Sequence, residues 1–225
     1  MLDEIKENAL PVQIGFTFMV ANPQDSLRNA IMRFGSPSVG YGFGITAAYN
    51  FDPVPIVLGG EFAMQFYGGT EKTFYQMSGP FRDTLVYSTS NLQLPITIHA
   101  RIQPDLFNWI FPYVEADVGM MVFSSSLDVT RNPNTESPSV NNDTESSVSW
   151  LYGGGAGVMV KFADIITLPN TLQRWLLDVR FRYLWGTDVD VPSITFDEGQ
   201  NVVRTNARVN DPSFVFFNIG LALQF

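Results

Sequence analysis

The stretch Val39-Gly-Tyr-Gly-Phe-Gly-Ile-Thr-Ala-Ala-Tyr-Asn-Phe51 alternates between two kinds of residue. Its odd-numbered positions are apolar or aromatic, whereas its even-numbered positions are glycine, alanine, threonine or asparagine. A period of two over this length is typical of a β-strand with one apolar face and one small, polar face. The same pattern returns along the chain as far as Phe225, so the sequence predicts an all-β fold.

The composition indicates contact with lipid. Of the 225 residues, 45% are hydrophobic and only 16% are charged, against ~25% charged residues in soluble proteins. No run approaches the ~20 apolar residues of a spanning helix, which leaves the closed β-barrel as the structure that crosses the bilayer. The net charge of −9 without a basic stripe argues against nucleic acid. The absence of cysteine excludes disulfides, zinc–thiolate sites and thiol nucleophiles.

The alternating segments number about eight, and long connections follow every second segment. We predict one domain over residues 1–225, a transmembrane up-and-down antiparallel β-barrel of the bacterial outer membrane. The long connections are predicted as extracellular loops at about 21–38, 68–86, 124–148 and 187–212. Residues 1–10 lack a signal peptide's basic and apolar regions, so we expect a mature or re-cloned chain with a periplasmic lead-in and periplasmic termini.

Three shorter features refine this prediction. Residues 51–55 form a tight turn, and residues 163–174 form a longer connection with one interfacial helical turn. Pro95 lies inside the fourth strand, where proline removes one hydrogen bond of the ladder. We expect it at a bulge or beside a locally unpaired strand.

Aromatic residues fall at both ends of the predicted strands, where two interfacial girdles are expected. The girdle residues are Phe51, Phe162, Trp175 and Phe225 at the periplasmic ends and Trp150 and Trp185 at the external ends.

The charged residues within the strands all fall on the inner, polar face. They are Glu61, His99, Arg101, Glu115, Asp117, Lys161, Asp178, Arg180 and Arg182. Without the histidine they balance, and an eight-stranded barrel is only wide enough for side chains to fill. We predict a salt-bridged, hydrated plug, with a narrow polar path for ions or small solutes as the alternative. Glycines at 40, 42, 44, 153, 155 and 157 are expected to make room for arginines of neighbouring strands.

Chemical sites are weakly supported. His99 is the only histidine, and a lipid hydrolase would need it beside a serine and an acid at the lipid surface. Because it faces the lumen, we interpret it as a polar core residue and expect no catalytic residues. Zinc lacks its usual ligand set, and we expect no metal or cofactor. Acidic pairs with calcium-binding potential are interpreted as solvated loops. These pairs are Asp143 and Glu145, Asp188 and Asp190, and Asp197 and Glu198.

Several motifs resemble one family of outer-membrane barrels. The stretch Phe214-Val-Phe-Phe-Asn-Ile-Gly-Leu-Ala-Leu-Gln-Phe225 resembles the terminal β-signal that the barrel-assembly machinery reads. The residues of this signal are Ile219, Leu221, Leu223 and Phe225. Pro112-Tyr-Val-Glu-Ala-Asp-Val-Gly119 and Gly153-Gly-Gly-Ala-Gly-Val158 resemble strands of the OmpA/OmpX-like barrel superfamily. Leu92-Gln-Leu-Pro-Ile96 is similar to a strand frequent in Bacteroidetes-type barrels.

The resemblance implies a Gram-negative porin-family barrel without selecting its activity. Our first interpretation is a non-enzymatic structural or interaction protein, an accessory subunit or an adhesin-like barrel, acting through its loops and lipid-facing wall. The alternatives are a small OmpW-like channel for small or apolar solutes and a lipid-modifying enzyme. Expected partners are the lipid bilayer, lipopolysaccharide, the barrel-assembly machinery and a larger outer-membrane complex.

Overall fold

The computed structural model describes the backbone of residues 11–33, 37–78, 81–104, 109–131, 139–163, 167–168, 171–172, 174–196 and 202–225. Side chains are described over most of these ranges, with the exception of 33, 70, 74, 76–78, 81–83, 131, 139–143, 162–163, 167–168, 171–172, 191–196 and 202–207. The predicted lead-in at 1–10 therefore lies outside the described residues. Within the described ranges, no helix is long and apolar enough to cross a membrane.

In this part of the chain, twelve strands and one helix follow one another. They are β1 (Val12–Pro23), α1 (Asp25–Arg33), β2 (Gly40–Phe51), β3 (Ile56–Ser78), β4 (Phe81–Ile102), β5 (Ile110–Arg131), β6 (Ser139–Ala163), β7 (Thr167–Leu168), β8 (Thr171–Leu172), β9 (Arg174–Gly186), β10 (Val189–Phe196), β11 (Val202–Val209) and β12 (Ser213–Gln224).

Eight of these strands close into a barrel in the order β1-β12-β9-β6-β5-β4-β3-β2. Every neighbouring pair is antiparallel, and β12 pairs back onto β1 from Gln13 opposite Gln224 to Pro23 opposite Phe214. Closure leaves no unpaired strand edge within the barrel wall. The predicted antiparallel barrel of about eight strands is confirmed.

Two of the predicted loops are continuations of the barrel strands. Residues 68–86 lie mostly in β3 and β4, and residues 124–148 lie mostly in β5 and β6, as two long hairpins joined by β4–β5 pairing. The prediction of irregular loops is wrong here because serine and threonine also fit a pleated strand when cross-strand pairing continues. The β3–β4 register shifts between Phe66 and Gly69, where Gly68 has φ of 74° and forms a bulge.

The other two predicted loops contain a helix and a hairpin. Helix α1 lies within 21–38, and β10 and β11 pair as a hairpin within 187–212. The helix buries Leu27, Ala30 and Ile31, whose spacing places them on one face, and packs on β1, β10 and β11. These elements form a cover over the end of the barrel away from the termini.

The structure differs from the prediction for the connection at 163–174 and agrees with the prediction for Pro95. The connection at 163–174 carries the short β7–β8 pair in its described part instead of the predicted helical turn. At Pro95 the predicted unpaired neighbour is present, because β3–β4 pairs stop after Phe62 opposite Ile96 and resume in the same register at Gln65 opposite Gln93. Proline lacks the N–H that would complete this ladder.

Candidate functional site

The outer wall of the barrel is an apolar belt of limited height. On β3 the outward side chains are apolar from Ile56 to Phe66, about ten residues, which matches a tilted spanning strand. Large apolar side chains here are exposed, including Phe16 (62%), Phe43 (66%) and Ile98 (65%). A surface of this kind is stable against hydrocarbon and is unfavourable in water.

On β4, β5 and β6 the belt ends abruptly on the side of the barrel away from the termini. Outward positions change there from apolar to hydroxyl-bearing: Leu92 to Ser90 on β4 and Val122 to Ser124 on β5. Above this boundary the Oγ atoms of Ser90 and Ser126 lie 2.7 Å apart in a hydrogen bond across the two strands. The two long hairpins therefore project from the belt as a polar sheet, which we call the extension: residues 69–78, 81–91, 124–131 and 139–147.

The predicted girdle residues lie near the two ends of the belt. Phe51 and Phe225 are exposed and Trp175 is half-buried at the end that carries the termini. Trp150 and Trp185 are exposed at the opposite end, where the rings of Tyr152 and Trp185 stack with centroids 6.1 Å apart. The side chain of Phe162 lies outside the described residues. Trp109, exposed at the β4–β5 turn, is a further aromatic that the sequence analysis missed.

A buried ion-pair network spans the middle of the lumen. Arg180 and Arg182 on β9 each donate a hydrogen bond from Nη2 to one carboxylate oxygen of Glu61 on β3. Strands β9 and β3 lie four places apart in the ring of eight, so these bonds cross the full width of the barrel. All three side chains are at most 4% exposed. The two guanidiniums neutralise the buried carboxylate, and each of its oxygens accepts one charge-assisted hydrogen bond.

Other predicted charges line the same layer. Arg101 Nε donates to Glu115 Oε2 at 2.8 Å, and Arg180 Nη1 lies 3.6 Å from that same oxygen. The hydroxyl of Tyr113 donates to Asp178 Oδ1 at 2.6 Å, an interaction that the sequence analysis did not foresee. The remaining predicted residues are His99 and Asp117, which are buried, and Lys161, which is half-buried near the terminus-bearing end of β6.

Apolar layers lie on both sides of the charged layer. Towards the termini, Tyr113, Met159 and Leu176 form one cluster. Towards the extension, a larger cluster joins the inner wall to α1 and the β10–β11 hairpin. Its members are Ala21, Leu27, Ala30, Ile31, Tyr67, Met121, Phe123, Leu151, Leu184, Val189, Val209, Phe214 and Phe216. The sequence analysis missed this cluster, although Leu184, Phe214 and Phe216 sit at inward positions of alternating strands.

Arginines connect the charged layer to both apolar layers. The guanidinium of Arg182 lies over the ring of Phe216, with 5.5 Å to the centroid, and that of Arg101 lies over Tyr113 at 4.8 Å. These distances fall within the range of cation–π attraction. In the described part of the lumen, a charged layer and two apolar clusters therefore occupy successive levels.

The inward glycines accommodate several kinds of neighbour. Two of the six predicted positions lie directly opposite an arginine of β9, Gly155 opposite Arg182 and Gly157 opposite Arg180. A Cβ at Gly155 would meet Arg182 Cγ at 2.7 Å. A Cβ at Gly40 would meet the ring of Tyr67, and one at Gly157 would meet the ring of Tyr113. The remaining neighbours are Gln65 for position 42, Thr17, Met19 and Ala63 for position 44 and Leu184 for position 153. The expectation of neighbouring arginines is confirmed at positions 155 and 157. Uncharged side chains are the nearest neighbours at the other four positions, because apolar layers lie on either side of the charges.

Among the described acidic residues of the predicted loops, Asp188 forms an ion pair. Asp188 Oδ2 accepts from Arg208 Nη2 at 3.0 Å, and Asp188 Oδ1 accepts from the backbone N–H of Asp211 at 3.4 Å. These bonds hold the pKa of the exposed Asp188 carboxyl below its ordinary value. They also join the base of the β10–β11 hairpin to the chain that leads into β12. Asp197 and Glu198, and the side chain of Asp143, lie outside the described residues.

Comparison with known protein families identifies the barrel. The family described as "Outer membrane protein beta-barrel domain" matches residues 6–225. The chain belongs to this family. It is therefore an integral protein of the bacterial outer membrane, and its surroundings are that bilayer and its lipopolysaccharide. No curated protein matches the chain in sequence.

Solved structures of similar fold are distant in sequence. Neisserial surface protein A is 17% identical with a TM-score of 0.54, covering 95% of this chain and 97% of that one. A major outer membrane protein of Thermus thermophilus is 12% identical with a TM-score of 0.47, covering 94% and 99%. The attachment invasion locus protein Ail of Yersinia pestis is 12% identical with a TM-score of 0.41, covering 96% and 97%. At these identities the first similarity shows the fold alone.

Proposed function

We propose that this protein is a non-enzymatic, non-conducting barrel that serves as a structural or interaction protein, either an accessory subunit of a larger complex or an adhesin-like protein. Its working surfaces would be the extension and the lipid-facing wall. One observation carries the proposal: Glu61 is bound across the lumen by Arg180 and Arg182, with apolar clusters on both sides. A lumen filled in this way leaves the outside of the protein as the surface for contacts.

The absence of a catalytic function is supported by the position of the only histidine. His99 is 1% exposed and lies in the charged layer, away from the lipid surface that a lipid-modifying enzyme must reach. Mass spectrometry of lipid A from cells with and without the protein tests this part. A mass change that depends on His99 would contradict it.

Conductance across planar bilayers tests the closed lumen directly. We expect the purified protein to insert without stepwise currents under conditions in which a known porin gives them. Insertion is checked separately by the change in gel mobility on heating. Reproducible current steps would contradict the proposal and favour the alternative, a small channel that opens beside the interrupted β3–β4 pairing near Pro95.

The orientation is also proposed: termini in the periplasm and extension outside the cell. Antiparallel pairing places the turn at Asp52–Pro55 on the terminus-bearing side and Ser146 on the other. Because the chain has no cysteine, Ser146→Cys and Val54→Cys each introduce one labelling site. We expect a membrane-impermeant maleimide to label Ser146→Cys in intact cells and Val54→Cys only after the outer membrane is opened. The reverse result would overturn the orientation.

The last strand supports a role in assembly. Ile219 and Leu221 present exposed apolar side chains on the outward face of β12, and Leu223 is half-buried there. The exposed Phe225 directly follows the last residue of the strand. We propose that this row and the terminal phenylalanine are read by the barrel-assembly machinery during insertion.

A further inference from the structure

The charged layer contains acceptors that its arginines do not satisfy. Both carboxylate oxygens of Asp117, Oε1 of Glu115 and both ring nitrogens of His99, one of which is an acceptor in the neutral imidazole, are buried without a hydrogen-bond partner among the described residues. The Nε and Nη1 donors of Arg180 and Arg182 are also without a partner there. By contrast, both oxygens of Glu61 are bound by arginine. Buried polar atoms normally have partners, so a concentration of unpartnered acceptors at one place points to a ligand.

These acceptors converge on one side of the lumen. His99 on β4 lies directly opposite Asp117 on β5, and Glu115 lies in the next inward pair, opposite Arg101. One ring nitrogen and one oxygen from each carboxylate all lie within 4.8 Å of one another. His99 is 1% exposed, Asp117 5% and Glu115 7%. The imidazole has room because its neighbour on β3 is Gly59, where a Cβ would stand 2.5 Å from Nε2.

We propose that His99, Glu115 and Asp117 form a binding site for one divalent transition-metal cation inside the barrel. One imidazole nitrogen and two carboxylate oxygens suit zinc, manganese, iron, cobalt or nickel, which accept mixed nitrogen and oxygen ligands at about 2.0–2.2 Å. Ligand atoms within 4.8 Å need to approach by about an ångström to surround such an ion. This proposal departs from the sequence-based expectation of no metal, which rested on the usual cysteine-rich or histidine-rich sets.

The charges of the layer include groups that favour a cation at this site and groups that oppose it. The buried ionisable groups of the lumen include four carboxylates and three guanidiniums. The fourth inward base, Lys161, is half-buried near the terminus-bearing end of β6, so the surplus carboxylate is confined to the buried layer. This local surplus favours a cation. Arg182 Nη1 lies 3.6 Å from Asp117 Oδ1 without forming a hydrogen bond, so it competes with the ion. Arg101 occupies only one oxygen of Glu115, which leaves the other oxygen for the metal.

The experiment measures metal retained by the folded protein. Apolar clusters lie on both sides of the site and would hinder the entry of an ion into the folded barrel. The protein is therefore refolded into detergent micelles in the presence of Zn²⁺, Mn²⁺, Co²⁺ or Ni²⁺, each in a separate sample. It is then treated with EDTA, desalted and analysed by mass spectrometry of the elements. We expect about one ion per chain with at least one of these metals. For Co²⁺, the visible absorption of a protein-bound ion provides a second readout.

Matched variants separate this site from ordinary acidic groups. Asp117→Asn and His99→Gln keep side-chain size and should lower the retained metal by about tenfold or more. Asp178→Asn removes a different lumen carboxylate, the one bound by Tyr113, and should retain the metal. The change in gel mobility on heating shows that each variant is folded. Wild type that retains none of the four metals would overturn the proposal, as would equal retention in Asp117→Asn.

Discussion

Replacing Glu61 with glutamine tests how strongly the cross-lumen ion pairs hold the barrel. The substitution keeps the side-chain shape but removes the charge that compensates Arg180 and Arg182. Breaking a buried pair by removing one partner typically costs about 3–5 kcal/mol, because an uncompensated charge stays buried. Two guanidiniums share this carboxylate, so we expect the free energy of unfolding to fall by about that range.

Equilibrium urea unfolding in phospholipid vesicles, followed by tryptophan fluorescence, measures this change. The matched control is Glu71→Gln, the same chemical change at an exposed position of the same strand, which should alter stability by less than about 0.5 kcal/mol. A double-mutant cycle of Glu61→Gln with Arg182→Gln should show a coupling energy of about 0.5–3 kcal/mol. If Glu61→Gln changes stability no more than the control does, the ion pairs do not hold the barrel and our reasoning is refuted.

Three further predictions concern packing and the cover. Gly155→Ala should destabilise the barrel by about 1–3 kcal/mol, measured by the same unfolding assay, because the new Cβ would meet Arg182 Cγ at 2.7 Å and lie still closer to the backbone oxygen of Phe181. Leu27→Ala should cost about 2–5 kcal/mol and speed proteolysis of the cover, since Leu27 is fully buried in the apolar cluster beneath α1. Acid should loosen the base of the hairpin, because Asp188 has a lower pKa in the folded protein than the ordinary carboxyl value of ~3.9. Its bond with Arg208 therefore contributes its full stabilisation above the ordinary value. This stabilisation is lost as the pH falls through the lower pKa of the folded state. Amide exchange measured in the hairpin across this range should show the loss in wild type and not in Asp188→Asn.

The contacts inside the lumen and the extension lie at different levels of the molecule. Arg180 and Arg182 tie opposite walls together at mid-height, while α1 and the β10–β11 hairpin cover the end next to the extension. The wall is therefore stiffened from inside.

The failed loop predictions share one physical cause. Residues 124–148 are rich in serine, threonine and asparagine, which is typical of loops, yet Ser124, Ser125 and Ser126 lie in β5 and form cross-strand hydrogen bonds. Their own strand preference is weak, and the pairing that begins in the apolar belt continues into them. Helix α1 was not predicted, although Leu27, Ala30 and Ile31 have helical spacing in the sequence that could have indicated it.

The alternation of apolar and polar residues by itself determined the strands, their two faces, the barrel and the lipid-facing belt. This was possible because successive side chains on a strand point to opposite sides whatever the strand packs against. Only the tertiary structure decided which charges meet. Glu61 and Arg182 are separated by 121 positions in the chain, and they touch because barrel closure places β3 and β9 face to face. The apolar layers inside the lumen depend likewise on closure, since an inward position has no defined neighbours until the opposite wall is in place.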